Sequence, residues 1–511
     1  MSTVPRRTAL RTAAAVVVAG AAGGTTAACT FTPGPDDTAA TEEPHEVVIR
    51  QDAAPTVLDP AIEPSLAASR ALLERATAVV VTTDDALAAG TPVSTALGVP
   101  LLVWGPGAAA ELDRLGARTV VRVAAPGGRP APTGSVATTL PDTLGDREVV
   151  DADGSGAPEV TGLPLTPLSG RVLALGRRGR PTPAAVEGTL AAVGATRLTS
   201  TDADVRLAPQ ARAELRQAAD AVVIGVTRGL GPARYLAQRV RTVRLAEELP
   251  GGGFRPFPER RMVALYGHPQ TADLGMLGEQ PPDATVARVE ALAAEYADLS
   301  GEPFVPAFEL IATVASGSAG ADGQYSRRTS LDVLERWVDA AEAAGVYTVL
   351  DLQPGRTDFL TQARAYEPLL RRPTVGLALD PEWRLRPGEV HLRQIGSVGV
   401  DEVNEVGAWL AALVREHDLP PKVLTLHQFD LSMIRGRERL DTGLDEIQWL
   451  LHADGQGTQQ AKQSTWTALR RDLPEGVWLG WKNFEDEDQP MLTPEQTLAE
   501  VEPMPYFVSY Q

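Results

Sequence analysis

Two acidic side chains close an apolar run in the second half of the chain. The stretch is GLALDPEW, residues 376–383, in which one proline separates Asp380 from Glu382 and Trp383 follows. Because side chains alternate across a β-strand, an extended chain would hold both carboxyls on the face that Ala378 also occupies. Carboxyls carry general acid–base chemistry, so this spacing predicts that a reactive site begins here.

Other apolar runs in this half of the chain end in the same way. Packing does not require polar strand ends, and buried ionisable groups are costly unless they are paired or solvated, so these ends predict a polar pocket. The residues at the ends are His268, Glu309, Asp351 with Gln353, Asp380 with Glu382, His427 with Gln428 and Asp430, His452 with Asp454, Lys482 with Asn483 and Glu485, and Tyr510. From this set and its surroundings we predict that the pocket is lined by His268, Asp351, Gln353, His427, His452, Asp454, Lys482 and Trp383.

Eight strand segments separated by helical segments are expected to position these residues. The strands are predicted at 261–269, 304–314, 345–354, 374–383, 422–430, 446–455, 476–485 and 505–511. The helices are predicted at 284–299, 330–344, 357–371, 401–417, a short one near 434–441, 458–472 and 494–501. This alternation predicts an α/β fold in which residues 258–511 form a (β/α)8 TIM barrel, with the working residues at the C-terminal strand ends.

Residues 65–250 alternate β-branched runs with alanine-rich stretches, which predicts a Rossmann-like βαβ region with parallel strands. Strands are predicted at 76–83, 99–104, 118–123, 170–176, 219–226 and 241–246, helices at 84–98, 107–116, 182–194 and 230–239, and a Gly- and Pro-rich connector at 124–165. The segment GVTRGLG, 225–231, lacks a dinucleotide-binding fingerprint, so no cofactor is expected.

Composition narrows the class of protein. The chain has 511 residues with 66 acidic and 47 basic side chains, a net charge of −19 that argues against a nucleic-acid partner. Its 43% hydrophobic and 22% charged content is typical of globular domains, and its length predicts at least two cores. Lys482 is one of only three lysines, the others being Lys422 and Lys462.

The first residues are typical of an export signal. Arg6, Arg7 and Arg11 precede a short apolar stretch, and small residues lead to Cys29, the only cysteine. RRTALR resembles a twin-arginine signal, and TAAC resembles the lipobox of bacterial lipoproteins, which implies cleavage after residue 28 and a lipid, palmitate included, on Cys29. A plain secretory signal is the alternative. Residues 29–64 are predicted to be a disordered tether that holds the protein on the extracellular face of the cell membrane.

Residues 78–123 resemble the cell-wall-binding repeats of Gram-positive surface proteins. The likeness lies in AVVVTTDDALAAGTPVSTALGVPLLVW followed by ELDRLGARTVV. In that family the repeats hold anionic wall polymers, so the resemblance implies a cell-wall or extracellular glycan as partner. A generic βαβ unit is the alternative.

The barrel half resembles glycoside hydrolases. Many retaining enzymes of that kind place the acid/base after strand four, where Glu382 stands beside Trp383, and the nucleophile after strand seven, where Glu485 stands. LALDPEW also resembles the end of the chitinase-like signature, which implies that Asp380 orients the substrate, although Val375 and Ala378 stand where that signature has acids. A carboxyl separation of about 5 Å would support retention, and one of about 6.5–9.5 Å inversion.

Two other classes of function stay open. A metal-assisted phosphodiesterase could draw ligands from His268, His427, His452, Asp380, Glu382 and Asp454, with Lys482 meeting a phosphate, but no close ligand motif occurs and no metal is predicted. A barrel that binds a glycan without cleaving it would need the same polar pocket, because fold does not fix function.

Overall fold

A computed structural model describes residues 44–125, 140–152 and 165–511. The expected export signal, Cys29 and the first part of the expected tether lie outside the described residues. None of the described helices combines the length and the apolar composition that crossing a bilayer requires.

The N-terminal region consists of two short parallel sheets and one antiparallel pair of strands, flanked by helices. Its strands are β1 Val47–Ile49, β2 Thr56–Val57, β3 Leu73–Ala76, β4 Ala78–Thr82, β5 Leu101–Val103, β6 Thr119–Val123, β7 Glu148–Ala152, β8 Val172–Arg177, β9 Thr196–Ser200 and β10 Val222–Gly225. Its helices are α1 Pro64–Leu72, α2 Leu87–Leu97, α3 Ala108–Leu115, α4 Ala184–Ala192, α5 Pro209–Gln217 and α6 Ala233–Leu245. Two four-stranded sheets have the orders β5-β4-β6-β7 and β2-β10-β8-β9, with every pairing parallel. The predicted Rossmann-like arrangement is confirmed.

Three local predictions in this region are wrong. Residues 241–246 were expected to form a strand, but they belong almost entirely to α6, where Leu236, Val240 and Val243 are buried at helical spacing. The expected connector contains β7, which pairs with β6. The described part of the expected tether carries β1 and β2, and Val47 and Ile49 of β1 are buried, so this strand is packed into the core rather than disordered.

Eight parallel strands of the C-terminal half close into a barrel. In barrel order they are β11 Arg261–Gly267, β12 Phe304–Ala315, β14 Tyr347–Leu352, β15 Val375–Leu379, β17 Lys422–Gln428, β19 Ile447–Ala453, β20 Trp478–Asn483 and β21 Phe507–Tyr510, with short strands β13 Ser326–Arg328, β16 Val398–Gly399 and β18 Ile434–Arg435 outside the ring. The pairing of β11 with both β12 and β21 closes the circle. The helices are α7 Pro282–Ser300, α8 Leu331–Ala343, α9 Phe359–Ala365, α10 Glu367–Leu370, α11 Val400–Glu416, α12 Gln459–Leu469 and α13 Pro494–Glu500. The TIM barrel prediction is confirmed.

Alternation along the barrel strands sends one set of side chains to the helices and the other to the barrel axis. The inward set near the N-terminal ends of the strands is mainly apolar and packs into one core: Met262, Ala264, Val305, Ala307, Tyr347, Val349, Ala378, Val423, Leu450 and Phe507. Leu249 and Phe257 close this end, and the Phe257 ring centroid lies 5.7 Å from that of Trp478 and 5.6 Å from that of Tyr506. The polar inward side chains are thereby left to the opposite, C-terminal end.

Two predicted segments of the barrel differ from the structure. Strand β15 ends at Leu379, and Pro381–Trp383 form a 3-10 turn, so Glu382 does not continue the strand. Proline lacks the N–H that a central strand needs and its fixed φ suits the first position of such a turn. The short helix expected near 434–441 is replaced by β18 and a 3-10 turn at Arg437–Arg439.

Buried ion pairs join the N-terminal region to the barrel. Arg206 Nη2 lies 2.6 Å from Asp204 and 2.9 Å from Asp445, which precedes β19. Arg239 of α6 contacts the same Asp445 at 2.6 Å, and Tyr235 donates to the Gly443 carbonyl at 2.7 Å. Residues 44–511 accordingly form one compact unit.

Candidate active site

A ring of polar side chains lies at the C-terminal end of the barrel. Each strand supplies one buried residue on its inward-facing side or directly after it. In barrel order these are Tyr266, Glu309, Asp351, Asp380, His427, His452, Lys482 and Ser509. We call this set the polar ring; Gln353, Glu382 and Asp454 adjoin it on the loops that follow their strands.

His427 is the central cation of the polar ring. Its Nδ1 lies 3.0 Å from Asp454 Oδ2, and its Nε2 lies 2.9 Å from Glu309 Oε1. Only the imidazolium form can donate from both nitrogens. Burial by itself lowers the pKa of His427, but the Glu309 and Asp454 carboxylates outweigh burial and raise this pKa well above its usual value.

Glu309 and Asp454 are the ionised partners of His427. Burial alone would raise the pKa of each carboxyl, but the charge and hydrogen bond of His427, together with the smaller effects of Lys482 and His452, outweigh burial and lower both pKa values. A positive charge held between two carboxylates fixes their position and keeps them deprotonated at neutral pH.

Asp351 takes part in a second hydrogen-bonded chain. Tyr266 donates its hydroxyl to Asp351 Oδ2 at 2.9 Å, and Gln353 Nε2 donates to the Tyr266 oxygen at 3.3 Å. The Ala315 N–H donates to Gln353 Oε1 at 2.9 Å, which fixes the amide. Burial raises the pKa of Asp351 to about 6, against the opposing effect of His427.

Glu382 and Asp380 favour their protonated forms. Burial and the negative charge of Asp454 raise the pKa of Glu382 to about 7. Burial and the charge of Glu382 raise the pKa of Asp380 well above its usual value. A carboxylic acid that keeps its proton near neutral pH can act as a proton donor.

His452 and Lys482 complete the polar ring. His452 Nε2 lies 3.1 Å from Ser509 Oγ and its Nδ1 lies 3.8 Å from Glu309 Oε2. Burial lowers the pKa of His452 to about 3, so this imidazole is neutral. The Lys482 ammonium lies 3.4 Å from the centroid of the Tyr266 ring, a cation–π contact inside the barrel mouth.

Several buried atoms of this site have no hydrogen-bond partner among the described residues: Glu309 Oε2, Asp351 Oδ1, Asp380 Oδ1, Asp454 Oδ1 and His452 Nδ1. Buried polar groups are costly when unsatisfied, so such a concentration is typical of a place where a ligand or water completes the bonding. Four of the atoms are carboxyl oxygens, which suits a ligand that offers hydroxyl donors.

The structure does not bring all the predicted residues together. His268 Nε2 lies 3.1 Å from Thr329 Oγ1, and burial lowers the pKa of His268, but the described contacts do not connect this side chain to the polar ring. Glu485 is exposed, and its backbone N–H donates to the Gln511 carbonyl at 2.8 Å. Trp383 is half-buried beside His391, with ring centroids 5.3 Å apart.

Three site residues were given no role by the sequence. Glu309 was recognised only as a strand end, although Val305, Ala307 and Glu309 alternate along β12 and could have placed it inside the barrel. Tyr266 and Ser509 carried no signal of their own.

A metal site is a less suitable description of this cluster. Glu309, His427 and His452 each offer one ligand atom, and these atoms lie within 4.8 Å of one another. In the observed arrangement, however, both ring nitrogens of His427 face carboxylates at hydrogen-bonding distance, so neither lone pair is free for a metal. His268, which was considered as a further ligand, lies beside Thr329 instead.

Comparison of the chain with protein-family models and with curated proteins finds no match. The function is therefore inferred from the geometry and chemistry of the site.

Proposed function

We propose that the barrel is a glycoside hydrolase-like enzyme that acts on cell-wall or extracellular glycans. The observation that carries this proposal is the pairing of two carboxyls with opposite properties at the barrel mouth. Asp454 is ionised and held by His427, while Glu382 lies within its electrostatic influence and favours the protonated form. Hydrolysis of a glycosidic bond needs such an acid and such a carboxylate.

In this mechanism Glu382 donates its proton to the glycosidic oxygen as the bond from that oxygen to the anomeric carbon breaks. Asp454 then has one of two roles. It attacks the anomeric carbon as a nucleophile, or it takes a proton from the water that attacks that carbon. Product anomers distinguish these two routes. The nucleophile expected from sequence was Glu485, but its exposure makes Asp454 the better candidate.

Recognition of a glycan is supported by the unpartnered acceptors of the site. Asp351 Oδ1 and Asp380 Oδ1 are buried and can accept hydrogen bonds from sugar hydroxyls. Trp383 lies next in sequence to Glu382 and offers an aromatic surface of the kind on which sugars stack.

We further propose that the protein is exported and anchored through a lipid on Cys29 to the extracellular face of the cell membrane. Support comes from the arginine-rich start, the apolar stretch and the single cysteine in TAAC. The resemblance of residues 78–123 to cell-wall-binding repeats supports the wall as the location of the substrate. Mass spectrometry of the membrane fraction tests the lipid: Cys29→Ala should release the protein from the membrane.

Hydrolysis is tested with the purified full chain and wall glycans, by measuring the release of reducing ends. Glu382→Gln should lower the rate by at least roughly a hundredfold, because general acid catalysis is lost. Glu487→Gln, which neutralises an exposed glutamate at the same end of the barrel, should leave the rate unchanged. An undiminished rate for the Glu382 variant would reject its role as the acid.

The same experiment separates the alternatives. A protein that binds the glycans but releases no reducing ends from any of them is the non-catalytic binding lipoprotein. Hydrolysis of phosphodiesters that a chelator abolishes, together with stoichiometric metal in the purified protein, would favour the metal-assisted alternative, for which the spacing of Glu309, His427 and His452 is the supporting observation.

A further inference from the structure

A basic cavity lies beside the polar ring. It has a volume of about 330 Å³ and its walls come from the loops that follow β14, β15 and β17, the same loops that carry or adjoin Gln353, Glu382 and His427. Because all of these loops leave the C-terminal strand ends, the cavity opens on the face of the barrel where the reaction is proposed. Its charged lining residues are Arg356, Arg384, Arg386, Arg435 and Glu402.

One of these arginines is neutralised within the protein. Arg384 directs Nε and Nη2 at the Glu402 carboxylate, at 3.1 and 3.3 Å, and its Nη1 donates to the carbonyls of Arg356 and Leu385. Arg384 therefore stabilises the wall of the cavity. Its ion pair with Glu402 occupies the carboxylate that lines the cavity.

The guanidinium groups of the other three arginines form no ion pair among the described residues, although the backbone N–H of Arg386 donates to the Glu389 carboxylate at 2.6 Å. Across the described residues, no carboxylate oxygen lies within 4.0 Å of a guanidinium nitrogen of Arg356, Arg386 or Arg435, whereas Arg384 and many other arginines of the chain have one. Arg386 and Arg435 both donate to the hydroxyl of Ser397, which brings their guanidinium groups to one point. Arg356 lies 4.5 Å from the centroid of the Tyr325 ring, and its buried Nε has no described partner.

The amino end of helix α11 also lines the cavity and adds to its positive charge. Gly399 lines the cavity and is the N-cap of α11, a helix of 17 residues, and no side chain of the described residues caps its first N–H groups. The amino end of a helix carries a partial positive charge. The guanidinium groups of Arg386 and Arg435 meet at Ser397 without an ion pair and repel one another, and a bound anion would remove that cost.

We propose that this cavity binds an anionic group, a phosphate or a carboxylate, that the glycan substrate carries. The choice of the substrate as the carrier rests on the proposed hydrolase function and on the connection between the two sites. Arg384 is two residues from Glu382, and the Gly396 N–H donates to the Glu382 carbonyl at 2.8 Å, so the loop that forms the cavity also holds the backbone of the proposed acid. The substrate class is thus an acidic glycan rather than a neutral one.

The cavity itself is tested with inorganic phosphate, titrated calorimetrically into the full chain at constant ionic strength. The triple variant Arg356→Gln, Arg386→Gln and Arg435→Gln should bind phosphate about tenfold to a hundredfold more weakly, since charged hydrogen bonds are lost.

A matched triple variant, Arg50→Gln, Arg178→Gln and Arg228→Gln, removes the same charge from exposed positions of the N-terminal region and should bind phosphate as the wild type does. The double variant Arg386→Gln and Arg435→Gln, both exposed, serves if the first triple variant does not fold. Equal affinities in the cavity variants and the wild type would overturn the proposal.

The carrier of the anion is tested with a carboxylate-bearing wall oligosaccharide and its carboxyl-reduced counterpart. The cavity variants should raise KM at least about tenfold for the acidic oligosaccharide and leave kcat and KM unchanged for the reduced one. Phosphate binding that the variants weaken, with an unchanged KM for the acidic oligosaccharide, would show a free anion as the ligand and overturn the assignment to the substrate. If the wild type cleaves neither compound, the hydrolase proposal fails, and direct titration of the acidic compound then tests the cavity. Tighter binding by the wild type than by the variants supports the inference. Equal binding by the wild type and the variants overturns it.

Discussion

His427 Nδ1 lies 3.0 Å from Asp454 Oδ2 while the opposite nitrogen lies 2.9 Å from Glu309 Oε1. One imidazolium therefore bridges two strands of the barrel, β12 and β17, and the loop after β19. This bridge holds the ionised carboxylate that the proposed mechanism needs, and its single positive charge stabilises both buried carboxylates.

The bridge should be important for stability. Replacement of His427 by Gln leaves Glu309 and Asp454 buried without their cation, so the free energy of unfolding should fall by about 3–5 kcal/mol, as for other buried ion pairs that lose one partner. Urea denaturation measures the change. His417→Gln is the control, because the described residues give His417 no ion pair, and it should change stability by less than about 1 kcal/mol. A loss for His427→Gln no larger than that of the control would contradict the bridge.

The pH dependence of hydrolysis should show Glu382 as an acid. Its pKa of about 7 means that kcat/KM falls as the pH rises through that value, because the proton donor is lost. On the acidic side, activity should persist until Asp454 is protonated, and since His427 lowers the pKa of Asp454, that loss lies below the usual range of carboxyls. Initial rates across the pH range measure both limbs. Activity that increases as the pH rises through 7 would be incompatible with Glu382 as the donor.

Glu382 should also make the folded protein sensitive to pH. Its pKa is 4.5 when unperturbed and about 7 in the folded chain, so between these values the folded state binds more protons and stability falls as the pH rises. Glu382→Gln cannot ionise and should escape this loss, so at pH values above 7 the variant should be more stable than the wild type by on the order of 1–3 kcal/mol. Near pH 4.5 the two proteins should differ less. Thermal unfolding at both pH values checks this, and a variant less stable than the wild type at the higher pH would refute the burial of this carboxyl.

The ion pairs between the N-terminal region and the barrel provide a separate test. Asp445→Asn removes the carboxylate that Arg206 and Arg239 share in a buried position, and should lower the free energy of unfolding by on the order of 3 kcal/mol. Asp418→Asn removes a pair that joins the same helix to the barrel through Arg241, but this pair is partly exposed and should contribute less than about 1 kcal/mol. Chemical denaturation compares the two variants. Equal losses of unfolding free energy in the two variants would mean that burial does not make the Asp445 pairs stronger than the Asp418 pair.

The barrel was predictable because its strands are regular apolar runs and each run ends at a change from apolar to polar residues. Strand alternation then placed Asp380 on the face that Ala378 occupies, and the structure buries Ala378 in the core inside the barrel. The prediction was wrong for residues 241–246, where Val243 and Leu245 are compatible with a strand but Leu236, Val240 and Val243 together pack as the buried face of a helix. Local pattern cannot decide between the two when an apolar run is short.

The sequence by itself determined the order of the elements, the polar character of the C-terminal strand ends and the neighbourhood of Asp380 and Glu382. The tertiary structure alone decided which strand ends meet. It placed Glu309 against His427, and it placed Asp454 where it is held in the ionised form. It also put Glu382 in a turn after a proline, facing inward, rather than along a strand, and left His268 and Glu485 outside the polar ring. These outcomes depend on how far each strand is shifted against its neighbours when the barrel closes and on the turn that follows it. Both are set by contacts between residues far apart in the chain, and no stretch of sequence records them.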